Sequence, residues 1–236
     1  MVMTKAEWKR KRRRRKKLKR YAVLAVAILL FVLLILLLSK VISWIFKGSD
    51  DGLLKKVGDV KVQEKLLTVN EYSRCGSKMN DVKNVVIHYS GTPNVPAMVR
   101  RDYYESLKDT RDTKKDRESM HFIVDLDGGI IQCIPINEAA YASKAYNESC
   151  ISIEFCNVAE DGSMNKSTYE SLVLLTAEIC KKFDLTSENV VRHYDITSAD
   201  CPHCFVNDAD AWNIFKSDVE KAIKGKDFTI DNPVAH

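Results

Sequence analysis

Acidic residues are almost missing from the start of the chain, where residues 1–20 hold a single one, Glu7, beside twelve lysines and arginines. A segment so uniformly positive repels itself and has too few apolar side chains to bury a core. Residues 21–38 then lack charge altogether. As a helix rising about 1.5 Å per residue, eighteen such residues extend roughly 27 Å, close to the hydrocarbon thickness of a bilayer. Ser39 and Lys40 interrupt the run, and residues 41–46 extend it toward Trp44, a residue type favoured at membrane interfaces. No small-residue cleavage site follows, and the run outlasts the apolar region of a signal peptide, which favours a retained anchor over a cleaved leader. Positive flanks stay on the cytoplasmic side of a single span. The expected topology is a single pass through the cell membrane, with the amino terminus cytoplasmic and everything after about Lys47 extracytoplasmic.

Beyond that anchor the positive excess disappears. Residues 48–236 hold twenty-three lysines and arginines against thirty-one acids, so the chain's overall +5 comes from its amino end. Nothing in so acidic a domain suggests nucleic-acid binding, for which a basic face would be expected. The basic tail itself reads first as a topology determinant and a contact for anionic lipid.

The composition divides the chain into a basic tail (1–20), a membrane anchor (21–46), a polar, lysine-rich stem (47–80), one domain (81–224) and a short tail (225–236). About 145 residues is the usual size of a single compact domain. Its elements alternate in type. Strands are expected over 84–89, 150–157 and 190–193, and a hairpin over 121–126 and 130–135 around Asp127, Gly128 and Gly129. Helices are expected over 95–109, entered at Pro96, over 210–223, and after a capping box of Ser167 and Glu170 that precedes Leu172, Leu175, Ile179 and Phe183. The fold class is α/β, a mixed central sheet flanked by helices, preceded by the transmembrane helix.

Two near-identical phrases, NVVIHYS and NVVRHYD, each deliver a histidine, His88 and His193, from a short apolar run, and Cys201 follows eight residues after the second. Three such ligands describe a catalytic zinc site, which characteristically leaves the fourth tetrahedral position to water or substrate. Either histidine alone reads more readily as a hydrogen-bonded structural residue; the combination points to Zn2+. Cys201 has the further reading of a disulfide partner, reasonable in an exported domain. The seven cysteines are odd in number, which leaves an even six if Cys201 binds metal and fixes no pairing. Cys201 and Cys204 also form a CxxC, without the surrounding pattern of a redox motif.

Glu154 lies in CISIEFCN, where strand alternation sets Ile151, Ile153 and Phe155 on one face and Ser152, Glu154 and Cys156 on the other. A carboxylate in so apolar a strand needs a partner. It reads as a salt-bridged residue or as the general base beside a metal.

The blocks VVIHYSGTP, MHFIVDLDGGIIQCIP, AAYASKAYNESCISIEFCN and VVRHYDITSADCP, in that order, resemble the zinc-dependent N-acetylmuramoyl-L-alanine amidases, the group that includes phage lysozyme-type amidases and the peptidoglycan recognition proteins. The resemblance runs from about Leu67 to Val219. It implies a mixed sheet with a zinc groove along one edge and a peptidoglycan substrate cut between N-acetylmuramic acid and L-alanine. It also implies His88, His193 and Cys201 as the zinc ligands, Glu154 as the acidic residue near the metal, and His121 as structural. Two positions depart from the family's pattern: Ala199 stands where many members have lysine, and Met120 where phage-type members have tyrosine. The alternatives implied are a module that binds peptidoglycan without cutting it and a zinc endopeptidase acting within the stem peptide.

Overall fold

The computed structural model describes residues 5–46, 51–111 and 116–236, and within the first helix only part of the side chains. The chain divides into two units, Met1–Asp50 and Asp51–His236. In the first, α1 (Lys5–Phe46) is one helix, built from leucine, alanine, lysine and arginine, which favour helix, and free of glycine and proline, which break it. Among the described residues no helix is long and apolar enough to cross a membrane. The unbroken stretch of described side chains at residues 28–39 rises only about 18 Å. The span expected over 21–38 falls partly outside the described residues, at side chains 22, 23, 25 and 27, and the described part gives the transmembrane reading no support.

The second unit is a seven-stranded sheet in the order β1-β2-β5-β4-β6-β3-β7. Its strands are β1 (Lys56–Val57), β2 (Val60–Glu64), β3 (Asn84–Tyr89), β4 (Phe122–Val124), β5 (Ile130–Gln132), β6 (Cys150–Phe155) and β7 (Val190–Arg192). The β1–β2 and β4–β5 pairs are antiparallel and the remaining neighbours parallel, so the sheet is mixed, as expected. Central parallel strands are covered on both faces and read as continuous apolar runs. That is why Val85, Val86 and Ile87 of β3 are all fully buried.

The helices are α2 (Ala97–Ser106), α3 (Lys166–Lys182), α4 (His193–Thr197), α5 (His203–Asn207) and α6 (Ala209–Ile223). On one face of the sheet, Ile151, Ile153 and Phe155 join Leu172, Ile179, Phe205, Phe215 and Val219 in the main core. Each such side chain withdrawn from water contributes about 1.5–3 kcal/mol. On the other face Cys156 packs with Ala97 and Tyr104 from α2. The alternation read along CISIEFCN is therefore the division between two cores.

The hairpin forms as expected, with β4 and β5 meeting around Gly128, whose φ is +85°. A Cβ there would stand 2.6 Å from the Ser167 carbonyl oxygen, so the turn and its approach to α3 both require glycine.

Four expectations need correction. Residues 51–80 are not a free stem: β2 pairs in parallel with β5, and Val57, Val62 and Leu67 are buried. The β2 strand, one in from the sheet's edge, buries only Val62 of its five residues, so a low apolar density was sufficient. The end of the chain also packs, with Val234 and Ala235 buried and Asn232 donating to Tyr169 Oη at 3.0 Å. Ser167 does not cap α3; the cap is Asn165, whose side chain donates instead to the Leu126 carbonyl at 2.8 Å. Finally, β7 ends at Arg192, and His193 opens α4 rather than closing a strand.

Candidate active site and metal centre

The β3 strand places His88 one residue beyond Ile87, which pairs with Arg192 in β7. The two histidines therefore leave neighbouring strands at the same level of the sheet. His193 turns into a helix there because Asp195 folds back on the chain, accepting from the Arg192 backbone N–H at 2.8 Å and from its guanidinium at 2.7 Å. Ser198, with φ of +61°, then reverses the chain after α4. Tyr194 donates its backbone N–H to the Cys201 carbonyl at 2.8 Å, which ties the returning loop to the histidine it must face.

His88, His193 and Cys201 come together, with their ligand atoms all within 4.8 Å of one another. Cys201 Sγ lies 3.9 Å from His88 Nδ1, and the imidazole rings are 4.5 Å apart between centroids. Donors sharing one tetrahedral zinc stand about 3.5 Å apart. Among the described residues, His88 Nε2 and His193 Nε2 are buried without a hydrogen-bond partner. Buried polar atoms of this kind normally have partners. Two imidazoles, each with an orphaned nitrogen, grouped with a thiol form a donor set that fits a metal ion.

Electrostatics agree with that use. Burial, and then His193, holds His88 well below the ordinary histidine range; burial, and then Lys144, lowers His193. Both rings are thus neutral and able to offer a lone pair. Burial pushes the Cys201 thiol up to about 12, opposed by a backbone hydrogen bond at Tyr89 and reinforced by Glu154 and Asp200. It becomes a thiolate only when a metal displaces its proton.

Glu154 stands beside His88, its Cα partner in the β3–β6 pairing, and is 1 % exposed. It is already engaged. Arg100 donates from Nε to Oε1 at 2.9 Å and from Nη2 to Oε2 at 3.0 Å, and Tyr104 Oη donates to Oε2 at 2.7 Å. Sequence reasoning missed Arg100 and Tyr104. Their signal was a four-residue spacing on α2, which stacks them on one helix face and lets Arg100 Nη2 donate to Tyr104 Oη at 2.9 Å.

A groove of about 790 Å³ exposes the trio and Glu154 together, walled by Arg100, Arg117, Glu118, Tyr141, Lys144 and Asn147 among others. Met120 also lines it. His121 does not. It is fully buried, accepts from the Ser152 backbone N–H at 3.0 Å through Nδ1 and bonds the Glu138 carbonyl at 2.9 Å through Nε2, a structural role as expected. All seven cysteines are free.

Comparison with known proteins agrees with this architecture. Residues 78–204 match the family described as N-acetylmuramoyl-L-alanine amidase. The chain is 33 % identical over 179 residues to the N-acetylmuramoyl-L-alanine amidase CwlL of Bacillus licheniformis, covering 71 % of this chain and 49 % of that protein. It is 31 % identical over 188 residues to the amidase BlyA of Bacillus subtilis strain 168, with the same two coverages. It thus spans about half the length of the curated relatives it matches. In fold it resembles the solved structure of PlyL, with a TM-score of 0.58 at 23 % identity over 69 % of this chain and 99 % of that one. The catalytic domain of XlyA gives 0.56 at 23 % over 68 % and 99 %. The family match over more than half the chain, on the sheet that assembles His88, His193 and Cys201, shows that this chain belongs to the N-acetylmuramoyl-L-alanine amidase family.

Proposed function

We propose that the chain is a peptidoglycan hydrolase that cuts the amide bond between N-acetylmuramic acid and L-alanine, with zinc held by His88, His193 and Cys201. The observation that carries this reading is the grouping of His88 and His193, each with an orphaned buried nitrogen, with the Cys201 thiol, all three lining the same groove as Glu154. Zinc bound there supplies Lewis acidity toward the scissile carbonyl and toward water. Glu154 is the proton carrier of the reaction: it takes the proton of the attacking water and returns it to the alanine nitrogen as the amide bond breaks. A polypeptide wall shapes the rest of the groove for the substrate.

A second reading has one observation in its favour. The double hydrogen bond of Glu154 with Arg100 is what a structural ion pair looks like, as in a module that binds peptidoglycan without cutting it. Digesting purified peptidoglycan with residues 51–236 and sequencing the released peptides by mass spectrometry separates the two. New amino-terminal L-alanine is the expected product. An unchanged polymer supports the binder, and a new terminus inside the stem peptide supports an endopeptidase.

The same proposal places the second unit outside the cell membrane, with α1 as a single-pass anchor whose amino terminus is cytoplasmic. The uncharged run at 21–38 behind twelve basic residues supports this. Protease added to intact spheroplasts should remove the hydrolase unit and leave the basic tail protected. A protected hydrolase unit, or a mature chain beginning after the apolar run, overturns the anchor.

A further inference from the structure

We infer that Arg100 and Tyr104 are positioning residues for Glu154, holding its carboxylate so that a single acceptor site faces the groove. This rests on Glu154 being the proton carrier. An ionised carboxylate offers about four lone-pair sites, two on each oxygen. Three are filled in this structure: one on Oε1 by Arg100 Nε, and two on Oε2 by Arg100 Nη2 and Tyr104 Oη. The remaining site is on Oε1.

The clamp is built to be rigid. Arg100 and Tyr104 sit four residues apart on α2 and bond each other at 2.9 Å. Tyr104 is fully buried, so its hydroxyl has no water to exchange for the carboxylate. The guanidinium lies 5.1 Å from the Tyr104 ring centroid and 5.4 Å from that of Tyr103, and reaches Glu118 at 3.6 Å on its outer side. A planar two-toothed donor fixes both the position and the plane of a carboxylate, which a lysine ammonium does not. Both halves of the clamp come from one helix whose first turn is itself pinned to the sheet, Ala97 donating its backbone N–H to Asp125 Oδ1 at 2.9 Å.

A purely structural pair would stabilise the fold and leave turnover per folded molecule untouched. A positioning pair sets where the free Oε1 lone pair points, so its loss lowers turnover while substrate affinity is kept. Misplaced supporting hydrogen bonds typically cost about 10- to 100-fold in activity.

The test is a double-substitution cycle on the zinc-loaded protein, using kcat and KM against a soluble muropeptide and metal content as readouts. Arg100→Gln should lower kcat about 10- to 100-fold with KM and zinc content little changed, and Arg100→Lys should not rescue it. Tyr104→Phe should lower kcat less, in the same direction. Placed on top of Glu154→Gln, Arg100→Gln should have almost no further effect, because its action passes through the carboxylate. An equal loss in both backgrounds, full turnover per folded molecule for Arg100→Gln, or complete rescue by lysine each overturns the positioning role. If Arg100→Gln fails to fold, Tyr104→Phe carries the same cycle. Near-normal turnover of Glu154→Gln alone is a different failure, that of the proton-carrier reading.

Discussion

Glu154 and His88 are directly paired in the parallel alignment of β3 and β6, so the acidic residue and the most buried of the proposed metal ligands sit on adjacent strands at one level. Strand pairing fixes their separation without help from any loop. A carboxylate 1 % exposed in such a place is kept only with a partner, and Arg100 is that partner. Truncating one member of a buried pair leaves the other uncompensated, which costs several kcal/mol.

For that reason Glu154→Gln, which keeps size and much of the hydrogen bonding, is the informative change. Turnover per folded, zinc-loaded molecule should fall by about 10²- to 10⁴-fold, with zinc content unaltered. Turnover near the parent value would move the proton carrier to another residue.

His193→Ala removes one of the three proposed ligands and leaves a cavity open to the groove. Metal analysis of the second unit should find about one zinc per chain in the parent and a large deficit in the variant. Full occupancy in His193→Ala would remove this residue from the ligand set.

His121 makes the fold sensitive to acid. Burial first, against the pull of the Glu138 carbonyl, lowers its pKa to about 4, whereas the unfolded chain titrates near 6.5. Between those values the unfolded state takes up a proton that the folded state refuses, so stability falls as pH drops from about 6.5 to about 4 and is unaffected above. The loss is of order 3 kcal/mol. His88 and His193 shift in the same sense, so the His121 share is the difference in slope between parent and His121→Gln in a pH series of thermal melts. Equal slopes would show that His121 contributes nothing.

The strand next to the sheet's edge gives the fourth prediction. Val62 is 5 % exposed and pairs in register with Ile130, while its neighbour Lys61 points outward. Val62→Asp should cost at least the 1.5–3 kcal/mol of a buried valine and lower the melting temperature by several degrees; Lys61→Asp should do little. Equal melting temperatures would return residues 51–80 to the status of a loose stem.

Sequence by itself determined the elements whose physics is local or periodic. Apolar continuity marked the covered strands β3 and β6, the Asp127-Gly128-Gly129 turn marked the hairpin, and the matched phrases around His88 and His193, with Cys201 eight residues on, marked three side chains that the fold brings together. Those signals survive because a strand buried on both faces, a turn with positive φ and a cluster of polar side chains each restrict which residues are acceptable. Tertiary structure decided what depends on distant partners. That Val57, Val62 and Leu67 are buried follows from where β5 lies, and that the chain's end packs follows from where Tyr169 lies. His193 opens a helix because Asp195 turns back on Arg192. The grip of Arg100 and Tyr104 on Glu154 joins residues about fifty positions apart, and only the folding of α2 against the sheet brings a guanidinium, a phenol and a carboxylate within hydrogen-bonding distance.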